Sequence, residues 1–67
     1  MHQVTLRVRN ADGVVHLATW YSEPQARLWL REEHPTYTAR CAGSYPCEGA
    51  ELTDEEVTCL MCVGTRP

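Results

Sequence analysis

The sequence predicts one small α+β domain, in which an N-terminal β-hairpin and a helix are followed by a cysteine-rich segment. Two early segments have the period-two alternation of strands, a third has apolar residues at helical spacing, and all four cysteines lie within residues 41–62. A chain of 67 residues buries only about 60% of its unfolded surface. Because the chain also lacks Phe and Ile, we expect it to need a covalent or metal staple.

The hairpin is predicted from the first twenty-one residues. Val4, Leu6 and Val8 alternate with polar residues, as in a strand with one buried face. Turn-forming residues follow at positions 10–13, where Gly13 can adopt a positive φ. Residues 14–21 are rich in β-branched and aromatic side chains and form the second predicted strand.

A helix is predicted to begin after Ser22. This serine can cap the helix, Gln25 lies three residues later as in a capping box, and Pro24 is tolerated in a first turn. The apolar residues of the segment share one face, which we expect to cover the hairpin: Ala26, Trp29 and Leu30. Pro35 disfavours helix at His34, so the helix is predicted to end there.

After the helix, residues 36–40 favour a third short strand that leads to Cys41. Between Cys47 and Cys59, Thr53 and Glu56 have the spacing of a second capping box, which predicts a short helix before Cys59. We therefore divide the single domain, residues 1–67, into a ββα half (1–38) and a cysteine-rich half (39–67).

The cysteines form two pairs, Cys41-x5-Cys47 and Cys59-x2-Cys62, separated by eleven residues. Two such pairs can close a tetrahedral site in which four thiolates hold one structural Zn²⁺ ion. Disulfides that join each pair are an alternative, although a C-x-x-C bridge closes too small a loop to stabilise much. A redox dithiol is a further alternative, but the predicted helix precedes Cys59, so the C-x-x-C pair lacks a helix N-terminus that would lower its thiol pKa.

The sequence gives two indications of compartment. It has no cationic start followed by an apolar run, as a secretory signal has, and no apolar segment of the length that a membrane span needs. We therefore expect a cytoplasmic protein. Disulfides are rare in that compartment, which favours zinc.

The charge pattern bears on partners. A formal charge of −3 opposes general binding to nucleic acid, which depends on clustered cations. The predicted partner-binding surface consists of four arginines on the hairpin and helix: Arg7, Arg9, Arg27 and Arg31. We expect a protein-interaction adaptor, with nucleic-acid binding through these arginines as the alternative and redox activity as a distant third. Because four sulfur ligands leave zinc no open position, we do not expect an enzyme.

The run from Val57 to Cys62, V-T-C-L-M-C, together with the upstream segment A-R-C-A-G at 39–43, resembles the tails of small zinc-finger-like proteins of actinobacteria and their phages. The resemblance covers about a third of the chain and implies zinc binding and such a source. Proteins of this kind often take one ligand from an N-terminal histidine, which makes His16 or His34 an alternative to Cys47. We expect an ordinary hairpin position for His16 and a helix-end position for His34.

Overall fold

The computed structural model describes residues 2–32 and 34–64, so the outer ends of the predicted 1–67 domain lie outside the described residues. It confirms the α+β class. In chain order the elements are β1 Val4–Arg9, β2 Val15–Trp20, α1 Glu23–Arg31, β3 Thr36–Thr38, β4 Ser44–Pro46, β5 Glu51–Leu52 and α2 Leu60–Gly64.

The predicted hairpin is confirmed. Strands β1 and β2 pair antiparallel with Val8 opposite His16. The turn closes through the Gly13 amide, which donates to the Asn10 carbonyl at 2.9 Å, and Gly13 has a φ of 89°. Strand β5 adds to the other edge of β1, giving a three-stranded sheet in the order β2-β1-β5.

Helix α1 begins as its sequence predicts. Ser22 is the N-cap, and its Oγ accepts from the Gln25 amide at 3.2 Å. The helix buries Ala26 completely and brings the Trp29 ring edge-on to Trp20, with centroids 6.4 Å apart. The helix therefore covers one face of the hairpin, as its apolar spacing indicates.

The predicted third strand is β3, but it does not join the first sheet. It pairs with β4 in a separate two-stranded hairpin, with Tyr37 opposite Tyr45. Cys41 lies in the turn of this second hairpin. Ala42 has a φ of 67°, and its amide donates to the Ala39 carbonyl at 3.0 Å.

The helix predicted before Cys59 is wrong. Residues 53–59 contain no helix, and α2 begins only after Cys59. The reason is that this segment makes its hydrogen bonds across the fold. The Thr53 amide donates to the Arg7 carbonyl, the amides of Thr58 and Cys59 both donate to the Val15 carbonyl, and the Thr58 hydroxyl accepts from the Val15 amide.

Candidate metal centre

Four side chains from three segments of the chain converge beside β2. The ligand atoms of His16, Cys41, Cys59 and Cys62 all lie within 4.8 Å of one another. The Sγ atom of Cys62 lies 3.7 Å from Nδ1 of His16. Three thiols and one imidazole that converge in this way are a common donor set for a structural metal ion.

The strand β2 positions the histidine. Because side chains at i and i+2 of a strand share a face, His16 points to the same side as Ala18 and Trp20. All three residues are buried, and His16 is only 4% exposed. His16 does occupy a regular hairpin position opposite Val8, as expected, but it is also a buried polar residue on the inner face of the sheet, within reach of three cysteines.

The turn between β3 and β4 positions Cys41. Arg40 holds this turn against β2, because its amide donates to the Leu17 carbonyl at 2.8 Å. The Tyr45 hydroxyl lies 3.3 Å from Cys41 Sγ. A side chain at Gly43 would meet the Tyr45 ring, so this glycine leaves room for the phenol that contacts the thiol.

The two hydrogen bonds to the Val15 carbonyl fix Cys59 at the start of α2. The Cys59 sulfur in turn accepts a hydrogen bond from the Cys62 amide at 3.4 Å. The C-x-x-C pair thus opens a helix instead of following one, which corrects the sequence-based argument that it lacks a helix N-terminus. No disulfide joins any of the four cysteines, all of which lie in the described part of the chain.

Of the four predicted ligands Cys41, Cys47, Cys59 and Cys62, the structure brings three together in this cluster, and Cys47 lies outside it. Strand β4 separates Cys41 from Cys47, and three residues of strand span roughly 10 Å, which exceeds the 4.8 Å separation within the cluster. Cys47 is 2% exposed and belongs to the hydrophobic core. His16 takes its place in the group.

His34, the other histidine considered, is likewise outside the cluster. Its ring stacks on Trp29 with centroids 3.9 Å apart, and its Nε2 atom lies 3.8 Å from Glu32 Oε1. This position near the end of α1 agrees with the sequence-based interpretation of His34 as a helix-end residue.

The surroundings of the cluster shift the pKa values of its imidazole and its thiols. Burial lowers the pKa of His16, which keeps the ring neutral as a metal ligand must be. Burial raises the pKa of the Cys62 thiol, so a thiolate at this position needs a positive charge beside it. The Tyr45 hydroxyl, by hydrogen bonding, lowers the pKa of Cys41 to about 7. A divalent cation held by all four groups would supply that positive charge.

Comparison with known proteins finds no matching family model, curated protein or solved structure. The resemblance to zinc-finger-like proteins of actinobacteria and their phages therefore stays a prediction. Across residues 2–32 and 34–64, neither helix has the length and apolar character needed to cross a membrane.

Three of the four predicted surface arginines, Arg7, Arg9 and Arg27, have polar or acidic partners within the domain. Arg9 makes ion pairs with Glu51 and Glu55. Arg27 Nη2 lies 2.7 Å from Glu23 Oε2, one helical turn away. The Arg7 guanidinium donates to the Asp54 carbonyl at 3.0 Å. Arg31, in the last turn of α1, is exposed.

Proposed function

We propose that His16, Cys41, Cys59 and Cys62 bind one structural Zn²⁺ ion, and that the domain so formed serves as a protein-interaction adaptor. The single observation that supports the metal is the mutual proximity of the four ligand atoms. Ligand atoms around tetrahedral zinc lie roughly 3.5–3.8 Å apart, as follows from bond lengths of about 2.3 Å to sulfur and 2.0–2.1 Å to nitrogen. The separation of 3.7 Å between Cys62 Sγ and His16 Nδ1 fits that value.

The donor set favours zinc over other cations. Thiolate ligands select zinc, copper(I) and iron–sulfur clusters, whereas calcium and magnesium prefer oxygen. Four protein ligands from three segments close a tetrahedral site and leave no coordination position for water. These features support a structural ion and a protein that is not an enzyme.

A titration with Co²⁺ tests the proposed centre. We expect saturation at one ion per chain, with thiolate-to-metal charge-transfer absorption and the intense visible bands of tetrahedral cobalt, because three thiolates bind the ion. One equivalent of Zn²⁺ should remove these bands. Weak visible bands typical of octahedral cobalt, or no binding at micromolar metal, would contradict the proposal.

Two features support the adaptor role. Helix α2 carries Cys62 of the proposed metal centre and exposes three large apolar side chains, with Leu60 83%, Met61 69% and Val63 51% exposed. Clustered apolar side chains at a surface are typical of sites that bind other proteins. A metal-stapled domain holds such a surface rigid, which lowers the entropic cost of binding.

The ion pairs of Arg9 and Arg27 argue against the nucleic-acid alternative, since their charges are already offset within the domain. We expect no binding to random single- or double-stranded DNA, or to random RNA, at physiological salt. Fluorescence anisotropy with labelled oligonucleotides of each type measures this. A sub-micromolar Kd at that salt would instead make nucleic-acid binding the function.

A further inference from the structure

A second feature of the molecule lies away from the metal centre, where α1 and β3 approach the end of β2. Here a surface cavity of about 260 Å³ is lined by the aromatic side chains of Trp20, Tyr21, Trp29 and Tyr37. Gln and Thr side chains complete the lining, and none of the lining residues is charged. Concave, largely apolar sites with a few polar groups are where proteins bind small molecules and partner side chains.

Two polar atoms of this lining are buried without a hydrogen-bond partner, the indole nitrogen Nε1 of Trp20 and the amide oxygen Oε1 of Gln25. Trp20 is only 7% exposed. By contrast, the second tryptophan of the cavity is satisfied, because Trp29 Nε1 donates to the Thr36 carbonyl at 3.0 Å. A buried donor and a buried acceptor left unpaired in one site are unfavourable, and a ligand that bonded to both would relieve this.

The backbone edge of β2 is open at the same place. The pairing register directs the amide and carbonyl groups of Val15, Leu17 and Thr19 away from β1. The carbonyls of Val15 and Leu17 accept hydrogen bonds from residues 58, 59 and 40. Within the described residues, no hydrogen bond is made to the outward groups of Thr19, which also lines the cavity. An exposed strand edge of this kind can pair with another chain.

We propose that this site binds an extended, uncharged peptide segment of a partner protein. The peptide main chain pairs with β2 at Thr19, and one of its side chains enters the aromatic cavity. That side chain carries a hydroxyl or carboxamide, because either group can accept from Nε1 of Trp20 and donate to the side-chain amide oxygen Oε1 of Gln25. Strand addition supplies affinity through the main chain and selectivity through such a pocket. The inference rests on the adaptor role proposed above.

The probe is a phage-displayed library of random linear dodecapeptides, selected against the zinc-loaded protein. We expect enriched peptides to share an uncharged stretch with one Asn, Gln, Ser, Thr or Tyr position. A synthetic peptide of the enriched sequence should change the tryptophan fluorescence, because both tryptophans of the chain lie at the cavity.

Backbone pairing is tested on the peptide, which leaves the protein intact. In a strand pair, every second amide of the peptide faces the partner strand. N-methylation of the amides that face β2 should weaken binding at least tenfold, whereas N-methylation of the intervening amides should leave binding nearly unchanged. If both sets of N-methylated peptides lost affinity equally, or if neither set lost affinity, the proposal would be overturned.

Matched protein variants test the location. Thr19→Pro removes the amide that points outward from β2 at the cavity. The matched control is Thr5→Pro, which removes the outward amide of the residue that lies opposite Thr19 on β1. We expect Thr19→Pro to weaken binding at least tenfold, Gln25→Leu to weaken it as well, and Thr5→Pro to leave it unchanged. All three variants should keep their cobalt spectra. Thr19→Pro and Gln25→Leu variants that both bind normally would refute this site.

The outcome also separates this proposal from the adaptor role itself. If peptides are enriched but lose binding in Leu60→Ser/Met61→Ser and not in Thr19→Pro, the site on β2 is wrong and the adaptor role stands. If the library yields no specific peptide, the proposed peptide site fails, whereas the metal centre is judged separately by its cobalt spectrum.

Discussion

Removal of the proposed zinc ion by a chelator is expected to unfold the protein. Apparent zinc-binding free energies in zinc-finger domains are about 10–16 kcal/mol, and in such domains this energy is folding energy. The hydrophobic core is too small to supply a comparable stabilisation. Its largest fully buried side chains among the described residues are Val8, Val15 and Cys62, and Cys62 is itself a proposed ligand. Far-UV circular dichroism and urea titration, with and without chelator, measure the loss.

The control is the same chelator saturated with zinc beforehand, which should leave the spectrum unchanged. Restoring one equivalent of zinc to the unfolded chain should restore the fold. A chelated protein that still unfolds cooperatively at the same urea midpoint would show that the metal is not the staple.

The second large effect separates His16 from Cys47. We expect His16→Ala to weaken metal binding at least a hundredfold, because it removes a ligand and leaves three thiols. Cys47→Ala should keep one metal ion per chain and lose only about 1–2 kcal/mol of stability, as expected for a small core truncation. Competition with a chelator of known affinity, followed through the cobalt bands, gives both values.

Two further variants make this comparison decisive. His16→Cys should restore binding with stronger thiolate charge-transfer absorption, because a fourth sulfur replaces the imidazole. His34→Ala should behave as the wild type, since that ring stacks on Trp29 away from the cluster. Loss of the metal in Cys47→Ala with retention in His16→Ala would restore the four-sulfur grouping.

The sequence predicts well those elements whose signals are local. The turn of the first hairpin is predicted from Gly13, and the start of α1 is predicted from Ser22 and Pro24. Both predictions are confirmed. The failed prediction of a short helix before Cys59 shows the limit of such signals. Thr53 does cap an amide, but that of Glu55 instead of Glu56, because Thr58 and Cys59 are bonded to Val15 forty-three or more residues earlier.

The same limit explains which residues form the cluster. Spacing along the chain pairs Cys41 with Cys47, yet a strand separates them, while His16 approaches from another sheet. One sequence signal could have identified the histidine: it falls at period two with Ala18 and Trp20 on the inner face of β2. A histidine on an apolar face needs a partner, and Cys62 provides one.

The order in which the proposed ligands occur along the chain has a consequence for folding kinetics. There are 24 residues between His16 and Cys41 and 17 between Cys41 and Cys59, so the complete site requires the closure of two long loops. Closing a loop costs conformational entropy before the contacts between its ends can stabilise the chain. An ion first captured by the C-x-x-C pair would shorten the search for the remaining ligands. The folding rate of this protein should therefore rise with zinc concentration until that first capture is saturated.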